Sequence, residues 1–242
     1  MRSDVVDLRD FYATSLGKAA RRIVRQRLRD MWPDVRGMTV VGLGYVTPFL
    51  APFRAEAARA IAAMPASQGV LHWPQEGSGL TTLVEEIEFP FADLSVDRLL
   101  LVHALETADL VRPLMREAWR VLTGDGRLLI VVPNRRGLWA RFEHTPFGHG
   151  RPYSQGQLNR LLRECMFTPT RTETALYLPP VSWRVAPAAA PAWERLGRWG
   201  LSAFAGVVMI EASKQVYAAQ PLLKARPRAV PATAQPARRA SA

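Results

Sequence analysis

The sequence predicts a single α/β domain, a doubly wound, mostly parallel sheet with helices on both faces. Three observations predict it. Residues 38–50, MTVVGLGYVTPFL, join an apolar run rich in β-branched residues to a glycine turn and then to the start of a helix, the opening unit of such a fold. Residues 97–106, DRLLLVHALE, contain the continuous apolar run that a central strand needs when both its faces are covered. An amphipathic stretch at 109–122, DLVRPLMREAWRVL, leads into GRLLIVVPN at 126–134, so strand, helix and strand alternate. A chain of 242 residues with 48% hydrophobic content suffices for one well-cored domain of this kind.

Residues 1–35 read as an N-terminal helical region. Within 4–32, Leu8, Phe11, Tyr12, Leu16, Ala19, Ile23, Val24 and Leu28 recur at three- and four-residue steps, so one face packs on the sheet. Lys18, Arg21, Arg22, Arg25, Arg27 and Arg29 crowd the remaining surface, either as a solvated basic face or as one that meets phosphates or an acidic partner. The domain proper is expected over 36–218. After the first strand, PFRAEAARAIAAM (52–64) has the alanine-rich composition of a helix that Pro65 closes, and SQGVLHWPQ (67–75) supplies a short second strand. TTLVEEIEFPF (81–91) then places Glu85 and Glu86 ahead of a Pro-Phe pair. Beyond the fifth strand lies an insertion, 135–165, which closes with a helix capped by Ser154. A sixth strand is read at 167–180, a helix at 192–204 and a last strand at 206–218. Residues 219–242 are rich in Pro, Ala and Arg with almost no large apolar side chains, and are expected to be disordered.

The net charge of +11 invites an anionic partner, yet much of the excess sits in the tail, where Lys224, Arg226, Arg228, Arg238 and Arg239 face no acid. Nucleic acid is therefore expected to bind only through nonspecific attraction to basic surface. The single cysteine, Cys165, excludes an internal disulfide and fits a reducing compartment; in LNRLLRECMF it reads as a small buried hydrophobe. No export signal opens the chain, and LSAFAGVVMI (201–210) is too short to span a bilayer, so a cytoplasmic protein without a transmembrane segment is expected.

Candidate chemistry gathers where ligands bind in open α/β sheets, at the C-terminal ends of the strands. Gly42 and Gly44 let bare backbone approach a ligand, although a tight turn that binds nothing would use the same residues. His103 and Glu106 end the fourth strand at that edge. His103 either takes a proton from a substrate or pins its loop through a hydrogen bond. The insertion combines Trp139, Phe142, Phe147 and Tyr153 with Arg135, Arg136, Arg141 and Arg151, a set suited to a planar anion or a nucleobase, or simply to a structural loop. His144 and His149 have no cysteine near them to complete a metal site, and none is expected.

Pro90, Phe91, Asp97, His103, Leu105, Glu106, Arg120, Val121, Leu122, Gly124 and Gly126 occur in an order that resembles class I S-adenosylmethionine-dependent methyltransferases, specifically the type 11 methyltransferase domain family, over residues 36–180. The resemblance implies a single Rossmann-like domain, a seven-stranded sheet whose last strand inserts antiparallel between the fifth and sixth, and N-terminal helices covering the cofactor or substrate. It also implies S-adenosylmethionine as cofactor, with Gly42, Gly44, Thr47, Trp73, Glu85 and His103 beside it, and His103 as the catalytic candidate. Trp139, His144, His149, Arg151 and Tyr153 would line the substrate side. The chain departs from the family where an acid and two glycines usually stand, at Gly42, Val46 and Pro48. It departs again at Thr107, in place of a second histidine, and at His72, Trp73 and Pro74, where the expected second strand ends without the ribose-binding acid. His72 and Trp73 would stack the adenine or form the apolar lip of the cleft. Two functions remain: methyl transfer to a small molecule, or an inactive methyltransferase fold that binds or regulates another protein. An RNA-binding or RNA-modifying role rests on charge alone.

Overall fold

The two strongest apolar runs take the middle of the sheet. In the computed structural model, which describes residues 4–180, 194, 197 and 204–215, strand β4 (Val96–Val102) lies between β1 (Thr39–Gly44) and β5 (Leu122–Pro133). Both neighbours run parallel to it, with Leu100 opposite Gly42 on one side and Leu129 on the other. Strand β2 (Arg59–Pro65) flanks β1, and β3 (Thr81–Val84) forms the edge. On the far side β7 (Val207–Lys214) pairs antiparallel with both β5 and β6 (Phe167–Ala175), giving the order β3-β2-β1-β4-β5-β7-β6. This is the seven-stranded, Rossmann-like arrangement expected from the sequence, including the inserted antiparallel strand. The helix expected at 192–204, apart from residues 194, 197 and 204, and the tail from 219 lie outside the described residues.

Each face of the sheet carries its own apolar layer. Helix α4 (Val111–Val121) buries Leu114, Met115, Ala118 and Val121 on one face, beside Leu158 and Leu162 of α5 (Gln155–Glu164). The spacing of these residues, three and four apart, is what puts them on one side of each helix. Ser154 caps α5 as expected: its hydroxyl accepts from Gln157 N at 3.2 Å, and the Gln157 side-chain oxygen accepts from Ser154 N at 3.0 Å. On the other face lie α1 (Val5–Ala13), α2 (Ser15–Met31) and a single helical turn, α3 (Thr47–Leu50).

The N-terminal region is two helices rather than one. Thr14 breaks it, because its hydroxyl accepts from Gly17 N at 3.0 Å and so starts α2 afresh. Gly17 permits the sharp elbow, since a side chain there would run into the Phe11 carbonyl.

Two sequence expectations are corrected between β1 and β3. Residues 52–64 are not a helix: the chain turns through 51–58, and β2 begins at Arg59. Alanine's helix preference amounts to only a few tenths of a kcal/mol per residue over ordinary residues. Here β2 hydrogen-bonds to strands on both sides, and small side chains at Ala60, Ala62 and Ala63 suit the buried position. Residues 67–75, expected as the second strand, form a loop instead.

Several positions that carry the family resemblance hold this scaffold together. Asp97 accepts a bond from Thr39 N at 2.9 Å, joining the starts of β4 and β1. Arg120 at the end of α4 donates to Glu117 (2.7 Å) and to the carbonyls of Phe89 (3.0 Å) and Phe91 (2.9 Å), which fixes the Pro90–Phe91 turn. Hydrogen bonds to its two carboxylate partners, Glu117 and then Asp93, hold the guanidinium pKa above its usual value.

Candidate functional site

The chain leaves β1 through Gly44, whose φ of +89° suits only glycine and whose missing side chain makes room for the Val102 carbonyl. It leaves β4 through His103, a non-glycine residue at φ +52°. That left-handed backbone is uncommon and turns the imidazole back under the strand ends, where it is only 3% exposed. Its Nδ1 lies 3.2 Å from Glu106 Oε1, and its Nε2 lies 2.7 Å from the hydroxyl of Tyr12, ninety-one residues earlier on α1. With Glu106 as a carboxylate, Nδ1 carries the proton, Nε2 accepts and Tyr12 donates. Hydroxyl, imidazole and carboxylate thus form a buried line.

Tyr12 fills this corner. Its ring stacks on Tyr45 (centroids 5.6 Å apart, planes 10° apart) and meets Phe49 edge-on at 5.5 Å, while Phe147 closes over His103 at 5.1 Å. Burial, reinforced by Tyr45 and Glu106, pushes the Tyr12 phenol well above its ordinary pKa, and burial pushes Tyr45 up to about 12. Both therefore stay neutral at physiological pH. The second oxygen of Glu106, Oε2, is buried without a hydrogen bond among the described residues.

Gln68, three residues past the end of β2, is the other residue that sequence reasoning did not single out. Its side chain donates to the His103 carbonyl and to Thr107 Oγ1 (3.0 Å), while its own carbonyl accepts from Val5 N at 2.9 Å. Placing the second strand at 67–75 hid it, because the true end of β2 at Pro65 is what puts residues 66–68 at the C-terminal edge of the sheet. Tyr12 was legible only as one more position on an apolar helix face.

The proposed cofactor residues divide. Gly42, Gly44, Thr47 and His103 come together at the ends of β1 and β4, all buried. Trp73 stands half-buried in the loop before β3, and Glu85 is exposed just beyond β3. Its neighbour Glu86 is the acid tied into the edge, accepting from Ser67 (3.0 Å) and Asp109 N (3.3 Å). On the substrate side, Trp139 is fully buried and donates to the Leu178 carbonyl at 2.7 Å, so it packs the core and has no face left for a ligand. His144 is exposed and its Nε2 lies 3.1 Å from the Pro180 carbonyl; His149 is half-buried beside the Pro146–Gly148 turn. Arg151 and Tyr153 do share a groove, of about 480 Å³, with Arg135 and Gln157. Arg151 N also donates to the Glu106 carbonyl at 2.8 Å, which sets that groove next to the buried line. Burial pushes the half-buried Cys165 thiol up, away from thiolate chemistry. Among the described residues no group of three or more His, Cys, Asp or Glu could hold a metal ion.

The fold defines a class: the architecture is that of class I S-adenosylmethionine-dependent methyltransferases. More narrowly, residues 37–130 match the family model described as a methyltransferase domain. Similar solved structures cover most of the chain. One comes from the complex between the Haloferax volcanii Trm112 methyltransferase activator and a methyltransferase (18% identity, TM-score 0.60, 79% of this chain and 88% of that one). Another is a S-adenosylmethionine-dependent methyltransferase from Archaeoglobus fulgidus (20%, 0.58, 80% and 94%). A third is a S-adenosylmethionine-dependent methyltransferase from Thermotoga maritima, described as a possible histamine N-methyltransferase (18%, 0.57, 86% and 94%). No curated protein matches the chain.

Against that class, the residues of this conformation do not fit the cofactor. Tyr12 occupies the interval between Tyr45 and His103. At the end of β2 stands an amide, Gln68, rather than a carboxylate.

Proposed function

We propose that this protein is a S-adenosylmethionine-dependent methyltransferase acting on a small molecule, with its cofactor cleft closed by α1 in the conformation described. The observation that carries the reading is the buried His103–Glu106 pair at the end of β4, within the segment that matches a methyltransferase domain. Glu106 orients the imidazole through Nδ1, leaving Nε2 as the atom that would take a proton from an acceptor once the Tyr12 hydroxyl is withdrawn. Arg151 and Tyr153, in the adjoining groove with Arg135, are the residues best placed to meet the substrate.

The filled cleft favours a second reading, a methyltransferase fold that binds or regulates another protein. A similar structure solved with a methyltransferase activator supports a protein partner for this fold. Calorimetric titration with S-adenosylhomocysteine, on the whole chain and on a Tyr12→Ala variant, separates the two. Saturable binding to either form is expected. No heat from either up to millimolar ligand would overturn the enzymatic reading and leave the partner-binding one.

A further inference from the structure

The conflict between a methyltransferase fold and an occupied cleft is located in α1. Resting on the methyltransferase reading above, we propose that α1 is a removable occupant of the cofactor cleft, which holds it shut with Tyr12 and must swing out at Thr14 before the cofactor or its demethylated product can enter. The groups that hold α1 are the groups that line the cleft. Apart from its contacts with α2, two hydrogen bonds tie it to the body among the described residues: Tyr12 to His103, and Val5 N to the Gln68 carbonyl. Gln68 in turn bonds the His103 carbonyl and Thr107. Helix and ligand would therefore compete for one set of residues, which makes their binding mutually exclusive.

The elbow lets α1 leave without unravelling α2. Thr14 has an extended backbone, and its hydroxyl caps α2 from outside α1, so α2 keeps its own start. Helix α2 is anchored separately by Leu16, Ala20, Val24, Leu28 and Met31 in the core, and by Arg25 donating to the Pro48 carbonyl. By contrast α1 is seated through Val5, Leu8 and Tyr12, with Phe11 half-buried and edge-on to Phe147. Its departure exposes those four side chains and leaves every strand paired.

The test compares three full-length forms: wild type, Tyr12→Ala and Gly17→Ala. The Gly17→Ala methyl would press on the Phe11 carbonyl and come within 2.7 Å of Tyr12 Cα, opening the elbow without altering any cleft residue. S-adenosylhomocysteine affinity is measured by calorimetry, and amide hydrogen exchange of residues 5–13 is followed in the wild type with and without ligand. A gate predicts that both variants bind on the order of tenfold tighter or more, because the closed population no longer competes. It also predicts that saturating ligand speeds exchange across α1 in the wild type, a readout that needs no variant. Equal affinity in all three forms, or α1 amides equally protected with ligand bound, overturns the gate while leaving the methyltransferase reading intact. Binding to none of the three overturns that reading and the gate with it.

Discussion

At the ends of β1 and β4 the polar side chains are buried and bonded to one another, whereas beyond β5 they face solvent in a groove of about 600 Å³ lined by Arg135, Arg136, Arg141, Ser154 and Gln157. Both regions lie along the same sheet edge. The difference arises from the cost of taking each polar group away from water. Tyr12, His103 and Glu106 can be buried only because each finds a partner, and the first of those partners has to come from a distant helix. The arginines of the groove carry no such requirement, because their charge stays hydrated. One region is thus conditional on α1, and the other is lined mainly by the β5–α5 connection, with Gln157 of α5 and Phe204 ahead of β7.

Four substitutions test that contrast. The largest effect is expected at Trp139, which lies in the same β5–α5 connection but belongs to the core. Trp139→Ala should cost about 4 kcal/mol in urea unfolding, for a lost aromatic side chain and a stranded Leu178 carbonyl. A loss below about 1 kcal/mol would mean that the loop beyond β5 has no packed floor. At the closed corner, Gly44→Ala should cost about 3 kcal/mol, from a strained φ and a collision with the Val102 carbonyl. A neutral result would show that the corner is loose rather than sealed.

A smaller effect tests the scaffold outside both regions. The hydrogen bond from Arg120, and then that from Phe89 N, hold the Glu117 carboxyl below its usual pKa. Because the folded value is depressed, its stabilisation is full above the ordinary glutamate pKa and is lost as pH falls through the folded value. Glu117→Gln should therefore be about 1 kcal/mol less stable at neutral pH, with the gap closing on acidification. A gap independent of pH would rule out the ion pair as its cause. Smallest, and opposite in sign, is Gly156→Ala. No atom lies within 4 Å of the added methyl and the site is helical, so a gain of about 0.5 kcal/mol in thermal unfolding is expected. If that change destabilises, the groove at the start of α5 is more tightly packed than it looks.

Much of the fold was legible in the sequence, and the residues concerned show why. Leu99 to Val102 and Leu128 to Val132 are continuous apolar runs, and Leu114, Ala118 and Val121 recur at helical spacing, so local pattern and final environment agree. Ser154 announced its helix because a cap acts within four residues. The alanines of 57–63 misled, because a side chain that small fits a helix or a buried strand equally well. Of the site, His103 and Glu106 could be placed at the strand end from sequence. For Trp139, aromatic residues beside arginines suggest a ligand site, and only packing showed that its ring is buried.

Local pattern was enough for the layering of the sheet, the strand-end position of His103 and the basic, aromatic character of the β5–α5 connection, because each depends on neighbours within a few residues. The course of β2, the residue at its end and the closing of the corner between β1 and β4 came from the fold as a whole. Those outcomes depend on contacts such as Tyr12 to His103 and Gln68 to Thr107, made between residues far apart in the chain. No local pattern encodes such pairs, since a buried hydroxyl or amide is stable only where the rest of the fold brings it a partner.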